Sequence, residues 1–370
     1  MTVRREKSEA TKSLTQAQAM LRSFRKNRVA VASALLLSLF YVVILFADFL
    51  SPYNMTLKRT DMRFTPPQRI HIVDAQGRWH APFVYGLETF TDEVTLRRTY
   101  RASTSTRYQL RLFVRGDEYK LLGLFRTNVH FFGVEEGGTV FLLGTDSVGR
   151  DLFSRILMGG RVSLSVGLVG VLLSTLLGSI LGVTSGYYGG VTDHIIQRII
   201  ELLQSFPTLP LWMALSAALP PHWSSIAVYF GIVTILSLIG WTGLARTIRG
   251  MTLRFAESEL VMASKCLGGS DWRIITRHLI PNVTSHIIVV ATISVPATII
   301  GESALSFLGL GIKAPMTSWG VLLREAQSIA AISMYPWLIT PAFFIIFVVL
   351  AFNFVGDGIR DAADPFSSRR

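Results

Sequence analysis

The residues able to do chemistry are few and scattered. His71, His80 and His130 share one polar stretch, but no clustered nucleophile, acid or second histidine stands beside any of them, and lone histidines are usually structural. There is no G-x-x-x-x-G-K-[ST] run to cradle ATP phosphates, no H-E-x-x-H and no G-x-S-x-G elbow. Gly309-Leu310-Gly311-Ile312-Lys313-Ala314 fits a loose dinucleotide fingerprint, yet Pro315 follows at once and no helix opens there. Cys266 stands alone, which excludes an internal disulfide and a zinc site built from paired cysteines. Asp357 and Asp361, four apart with Arg360 between, read as a helix end held at a membrane surface rather than an ion site. The reading is a chain that is not an enzyme, with no catalytic residue, no metal site and no cofactor of its own.

The elements that would position these residues belong in a bilayer. Half the residues are hydrophobic, only 16% are charged, and the mean hydropathy is +0.44. A net charge of +12 would suit nucleic acid if it were interleaved through polar faces, but here it flanks long apolar runs, so nucleic acid is excluded as a partner and membrane lipid takes its place. Six segments, at about 29–50, 162–187, 194–218, 224–246, 280–303 and 335–356, are long enough to cross roughly 30 Å of hydrocarbon. The first follows a basic stretch and is too long for a signal-peptide core, with no small-x-small cleavage site behind it.

Charge sets the expected orientation. Arg4, Arg5, Lys7, Lys12, Arg22, Arg25, Lys26 and Arg28 precede the first span, Arg246, Arg249, Arg254, Lys265, Arg273 and Arg277 fill the loop between the fourth and fifth, and Arg360, Arg369 and Arg370 close the chain. Under six spans these fall on one side, which the positive-inside rule makes cytoplasmic, with both termini. The stretch 51–143 then lies outside. Its alternation Tyr108, Leu110, Leu112, Val114, with turn candidates at 74–77, 115–118 and 135–138, predicts a small β-rich cap. The expected fold class is an all-α polytopic membrane protein of six transmembrane helices, with this β-rich external, periplasmic insertion between helices 1 and 2. Its divisions are a basic segment 1–28, helix 1 over 29–50, the cap 51–143, a transmembrane domain 144–360 and a tail 361–370. Gly144 through Arg155 reads as an interfacial element on the outer surface.

Few ionisable residues fall within the spans. Asp48 and Glu302 lie near helix ends, and Arg198 and Glu201 read as a local pair, so no acid stands near a midplane to couple transport to an ion. Gly170, Ser174, Gly178, Gly182 and Gly186 recur every fourth residue and form one small-residue ridge, for packing inside the chain or against a partner subunit. The loop 247–279 holds two short helices, the first ending at Gly268-Gly269 and the second capped by Ser270. Val261, Met262, Ala263, Ser264, Leu267 and Gly268 give the first helix a face that the loop cannot bury by itself.

That loop resembles the Glu-Ala-Ala loop of ATP-driven (ABC) importer permeases, with Ala263 and Ser264 in place of the alanine pair, Gly268 as the glycine and Met262 where the family often has an acid. Leu143 through Arg155, Leu305-Ser306-Phe307-Leu308-Gly309-Leu310-Gly311, Asn353 through Asp361 with Asp364-Pro365, Tyr187-Tyr188-Gly189-Gly190 and Ser205-Phe206-Pro207 are similar to the second, C-type permease subunit of dipeptide, oligopeptide and nickel importers. The match covers about 20–50 and 142–366 and leaves out the cap. It implies a heterodimer with a second, homologous permease subunit, two ATPase subunits carrying ATP and Mg, and an external substrate-binding protein, all at a bacterial inner membrane. It also implies that Val261 through Gly268 couple ATP hydrolysis to alternating access. Peptides are the expected cargo, with oligosaccharides or opines as the alternative. An ion-coupled secondary transporter, or an enzyme or sensor built on the cap, are the rivals of a different class.

Overall fold

The computed structural model describes residues 16–91, 93, 98–135 and 137–363. Of the residues singled out above, Arg4, Arg5, Lys7, Lys12, Glu136, Asp364, Pro365, Arg369 and Arg370 lie outside the described residues. An amphipathic α1 (Gln16–Phe24) leads to α2 (Arg28–Leu45), where Asn27 caps the first turn by accepting the Ala30 amide at 3.1 Å. A single turn, α3 (Ala47–Leu50), hands the chain to the sheet.

The sheet is an antiparallel meander of β1 (His71–Val73), β2 (Trp79–Thr91), β3 (Arg98–Leu121) and β4 (Phe125–Val134). Of the three expected turns, only Asp74–Gly77 joins two strands, with Gly77 at φ 79. The segment 115–118 runs inside β3, as an irregularity in its pairing with β4, and 135–138 is a turn that follows β4. The β3–β4 connection instead passes through Leu122 and Gly123 at φ 53 and 74, a left-handed pair in which the leucine hides the turn from composition.

Beyond the sheet, α4 (Leu152–Tyr188) opens on an Asp151 cap and stops where Gly189 and Gly190 take positive φ. The expected third span is not one helix. It divides into α5 (Gly190–Gln204) and α6 (Thr208–Ala217), because Pro207 has no N–H to donate and disfavours helical backbone at Phe206. There follow α7 (Ser225–Ala256), α8 (Glu259–Cys266), α9 (Asp271–Ile274), a π-helical turn Ile275–Leu279, and α10 (Ile280–Phe307). Pro281 accounts for the π turn: it cannot donate to the carbonyl four residues back, and the Ile280 amide bonds to the Ile275 carbonyl instead. Short helices α11 (Trp319–Leu323) and α12 (Ile329–Met334) then lead into α13 (Thr340–Ala363).

Among the described residues five helices are long and apolar enough to cross a membrane, 28–45, 152–188, 225–256, 271–307 and 336–363. The sixth crossing follows from packing. Gly170 meets Ser237, Gly178 meets Leu244, Gly182 meets Ile248 and Gly186 meets Thr252, so positions on α4 and α7 climb together and the two helices run parallel. The chain between them must therefore return across the full thickness, and α5 with α6 makes that return as a broken helix. Six crossings bring both described ends to one side, where Gly358 of α13 packs against Phe24 and Ala30.

Candidate functional site

The predicted ridge seats α4 against α7 within the chain. A Cβ at Gly178, Gly182 or Gly186 would lie 2.9, 2.7 or 2.7 Å from the carbonyl oxygens of Trp241, Ala245 and Arg249. Only hydrogen at these positions lets the two backbones approach so closely. Ser174 continues the ridge with its hydroxyl against Gly240, and Gly170 touches Thr298 of α10 as well as Ser237.

At the lower end of this pair, away from the sheet, α8 is pinned by one residue. Val261 is 1% exposed and packs with Val183, Ile248, Ile274, Leu279 and Val283. Its neighbours face outward: Met262 is 58% exposed and Leu267 89%, with Ala263 and Gly268 also exposed and Ser264 half-buried. Gly268 takes φ 75, and the Gly269 amide bonds back to the Ser264 carbonyl at 2.8 Å, closing the helix with a left-handed cap. Tyr187, at the end of α4, donates its hydroxyl to Asp271 at 2.7 Å and lies under Lys265, whose Nζ is 5.0 Å from the ring centre. Nearby, Arg249 grips Asp193 with two hydrogen bonds of 2.5 Å, and Ser185 donates to the same carboxylate. The ends of α4, α5 and α7 and the base of α8 are thereby tied into one body.

Higher up, a cavity of about 380 Å³ opens between α4, α7, α10 and the α5–α6 break. Its walls carry no ionisable side chain; Ser174, Thr175, Thr208, Thr242, Ser294 and Thr298 set hydroxyls among apolar groups. Gln204 donates to Thr242 at 3.1 Å, and Trp212 lines the cavity with an indole N–H that has no hydrogen-bond partner among the described residues.

The sheet end overturns one expectation. The segment 144–155 is not a surface element: Asp146, Asp151, Ser154 and Arg155 are all buried. Asp146 accepts the amides of Val148 and Arg150 at 2.9 Å each, pairs with Arg150 at 2.6 Å and pairs with Arg155, while Glu325 bonds both arginines and the Ser147 amide. Alternation of charge and apolar residues misled here because the charges satisfy one another across 170 residues of sequence. Glu302 is likewise fully buried, accepting the hydroxyls of Ser163 at 3.2 Å and Ser306 at 2.6 Å. The four-residue spacing of Glu302 and Ser306 on a helix was the available signal. Neither cluster lines the hydroxyl cavity.

The three cap histidines serve separate structural ends. His80 bonds Asp74 at 2.8 Å, His130 is buried between the carbonyls of Ser51 and Asp117, and His71 packs at a tilt beside Tyr85, ring centres 5.0 Å apart. Arg198 and Glu201 form an exposed local pair at 2.9 Å.

Residues 175–369 match the family described as binding-protein-dependent transport system inner membrane component, and residues 15–67 match the N-terminal TM domain of oligopeptide transport permease C. The oligopeptide transport system permease protein OppC of Haemophilus influenzae is 44% identical over 223 residues, covering 60% of this chain and 69% of that one. The dipeptide transport system permease protein DppC of Bacillus subtilis is 43% identical over the same length, covering 60% and 68%. Among solved structures, an inward-facing MetNI methionine ABC transporter aligns over 57% of this chain and 96% of its own, at 17% identity and a TM-score of 0.45.

Proposed function

Since this chain belongs to the family of binding-protein-dependent transport system inner membrane components, we propose that it forms half of the translocation path of an importer of short peptides. Six crossings, a hydroxyl-lined cavity and an outward-facing α8 together fit a subunit whose path is completed by a second, homologous permease. Two separate ATPase subunits, binding ATP and Mg, would dock at α8, and an external binding protein would deliver cargo at the sheet end. On this reading α8 and both termini are cytoplasmic, residues 51–143 form the external cap, and 144–360 the transmembrane domain with its coupling loop 247–279.

The observation that carries the proposal is α8 itself. Val261 anchors it in the chain's own core while Met262 and Leu267 stand in solvent, an arrangement that serves a second protein and does nothing for this one. The docking contact is apolar because Met262 offers no charge. When ATP closes the ATPase pair, movement of α8 passes through Val261, Tyr187 and Asp271 into α4, α7 and α10 and tilts them about the cavity. Peptide cargo suits the cavity because uncharged hydroxyls and Gln204 can meet backbone amides without selecting a side chain.

The test is uptake of a radiolabelled tripeptide into vesicles holding the full complex, with Leu267→Asp compared with the unaltered chain. Leu267 is 89% exposed, so the variant should insert and fold normally. Uptake and peptide-stimulated ATP hydrolysis should both fall at least about tenfold, the loss expected when roughly 1.4 kcal/mol of docking is removed. Uptake that persists without the ATPase subunits would instead make the chain a secondary transporter.

A further inference from the structure

The sheet of the cap, residues 71–134, lies between the two regions that the family models match, 15–67 and 175–369, so neither family model speaks for it. Its β3–β4 hairpin ends in Leu121-Leu122-Gly123-Leu124-Phe125, with Leu122 42%, Leu124 74% and Phe125 68% exposed. A soluble hairpin would place polar turn residues at such a tip. Lys120 and Arg126 pair across the strands directly behind it. Like charges facing each other on paired strands repel in water, and an anionic surface would relieve them.

The base of the hairpin rests against the membrane-spanning part of the chain. Phe113 and Phe131 pack against Phe49 of α3 as tilted rings, with their centres 6.2 and 5.7 Å from its own. Asp48, the residue before, pairs at 2.9 Å with Arg161 of α4, which also holds the Leu45 carbonyl at the end of α2. Farther along β3, Tyr119 packs on His130 with ring centres 5.0 Å apart, and His130 bonds the Ser51 carbonyl just past α3. Past Tyr119 only two residue pairs remain before the turn, roughly 7 Å of strand. The hairpin thus leaves the chain beside the outer end of α2, where Val42, Leu45 and, just past the helix, Phe46 are exposed, and a run of apolar side chains leads from there through Phe49 to the 63% exposed Phe113.

From this continuity and the paired cations we infer that the β3–β4 hairpin is an interfacial anchor, its Leu122, Leu124 and Phe125 seated in the outer leaflet and Lys120 and Arg126 on lipid phosphates. Apolar tips backed by cations bind bilayer interfaces through both terms at once. The added cap would then hold its sheet at a fixed tilt over the membrane instead of riding free above it.

The test uses the one cysteine of the chain. In a Cys266→Ser background, Leu124→Cys carries an environment-sensitive NBD label in the full complex, reconstituted in phosphatidylethanolamine and phosphatidylglycerol vesicles. Thr104→Cys, exposed near the opposite end of β3, is the control. Lipids bearing a nitroxide at the shallow 5-position should quench the Leu124→Cys label at least about twofold more than the control, with a blue-shifted emission. Adding Lys120→Glu and Arg126→Glu should reduce that quenching. Water-like emission and equal quenching at both sites would overturn the inference, as would a blue shift that arises only when binding protein is added, since the tip would then dock on protein.

Discussion

At the scale of single residues, the buried polar groups divide into those that shape the membrane domain and those that shape the cap. Glu302 of α10 accepts the hydroxyls of Ser163 on α4 and Ser306 on its own helix, and its removal leaves those donors buried and unpaired. Glu302→Ala should lower the stability of the detergent-solubilised complex by about 1–3 kcal/mol, and Glu302→Gln by less, because the amide oxygen still accepts. Thermal unfolding of the two variants side by side checks the order. Asp74 is the counterpart in the cap. The Arg78 amide, with help from His80 and the Gln76 amide, outweighs burial and lowers its carboxyl from 3.8 to about 2. A carboxylate depressed by folding contributes fully above its unfolded pKa, and the contribution is lost as pH falls through the folded one. The β1–β2 turn should hold from neutral pH to about pH 4 and loosen toward pH 2, while Asp74→Asn flattens the dependence. The signal of fluorotryptophan at Trp79, followed by ¹⁹F NMR, reports it.

At the scale of elements, the α4–α7 pair is the tightest seam. Gly182→Leu forces a side chain into the Ala245 carbonyl and Ile248, and overpacking of this kind costs about 1–3 kcal/mol even where a core can adjust. The complex should lose thermal stability and yield, whereas Gly243→Ala on α7, where a new Cβ meets nothing within 4 Å, should leave both unchanged. The ridge was legible in sequence because a four-residue period of small side chains maps directly onto one helix face, but which helix would receive it was not. The apolar spans were legible for the same reason, periodicity and length. The break at Pro207 was written in the sequence too, but a hydropathy window averages across a proline and reports one long span. What could not be read were the ties across distant sequence, such as Arg155 to Glu325 and Asp193 to Arg249, since nothing local to either partner names the other. The cap turn at Leu122-Gly123 escaped because turn rules look for Asn or Asp before glycine.

At the scale of the whole molecule, the six crossings predict a simple labelling pattern. In intact cells a membrane-impermeant maleimide should react with Thr104→Cys in a Cys266→Ser background and should spare native Cys266, which reacts only once the membrane is opened. Cys266 is exposed at the end of α8, so its protection would come from the bilayer and not from burial. Reaction from outside at Cys266 would invert the proposed orientation. The same layout gives the 37-residue α4 a mechanical meaning. It is a rod of about 55 Å at 1.5 Å per residue, longer than the hydrocarbon it crosses. Arg155 clamps it at one end through Asp146 and Glu325, and Tyr187 engages Asp271 at the other. A tilt of about 5° around its middle would move each end by roughly 2.4 Å, in opposite directions, for a rod of that length. Whatever pushes on the Tyr187 end is therefore felt at the Arg155 end as a reversed stroke of equal size, with no signal having to pass from residue to residue along the way.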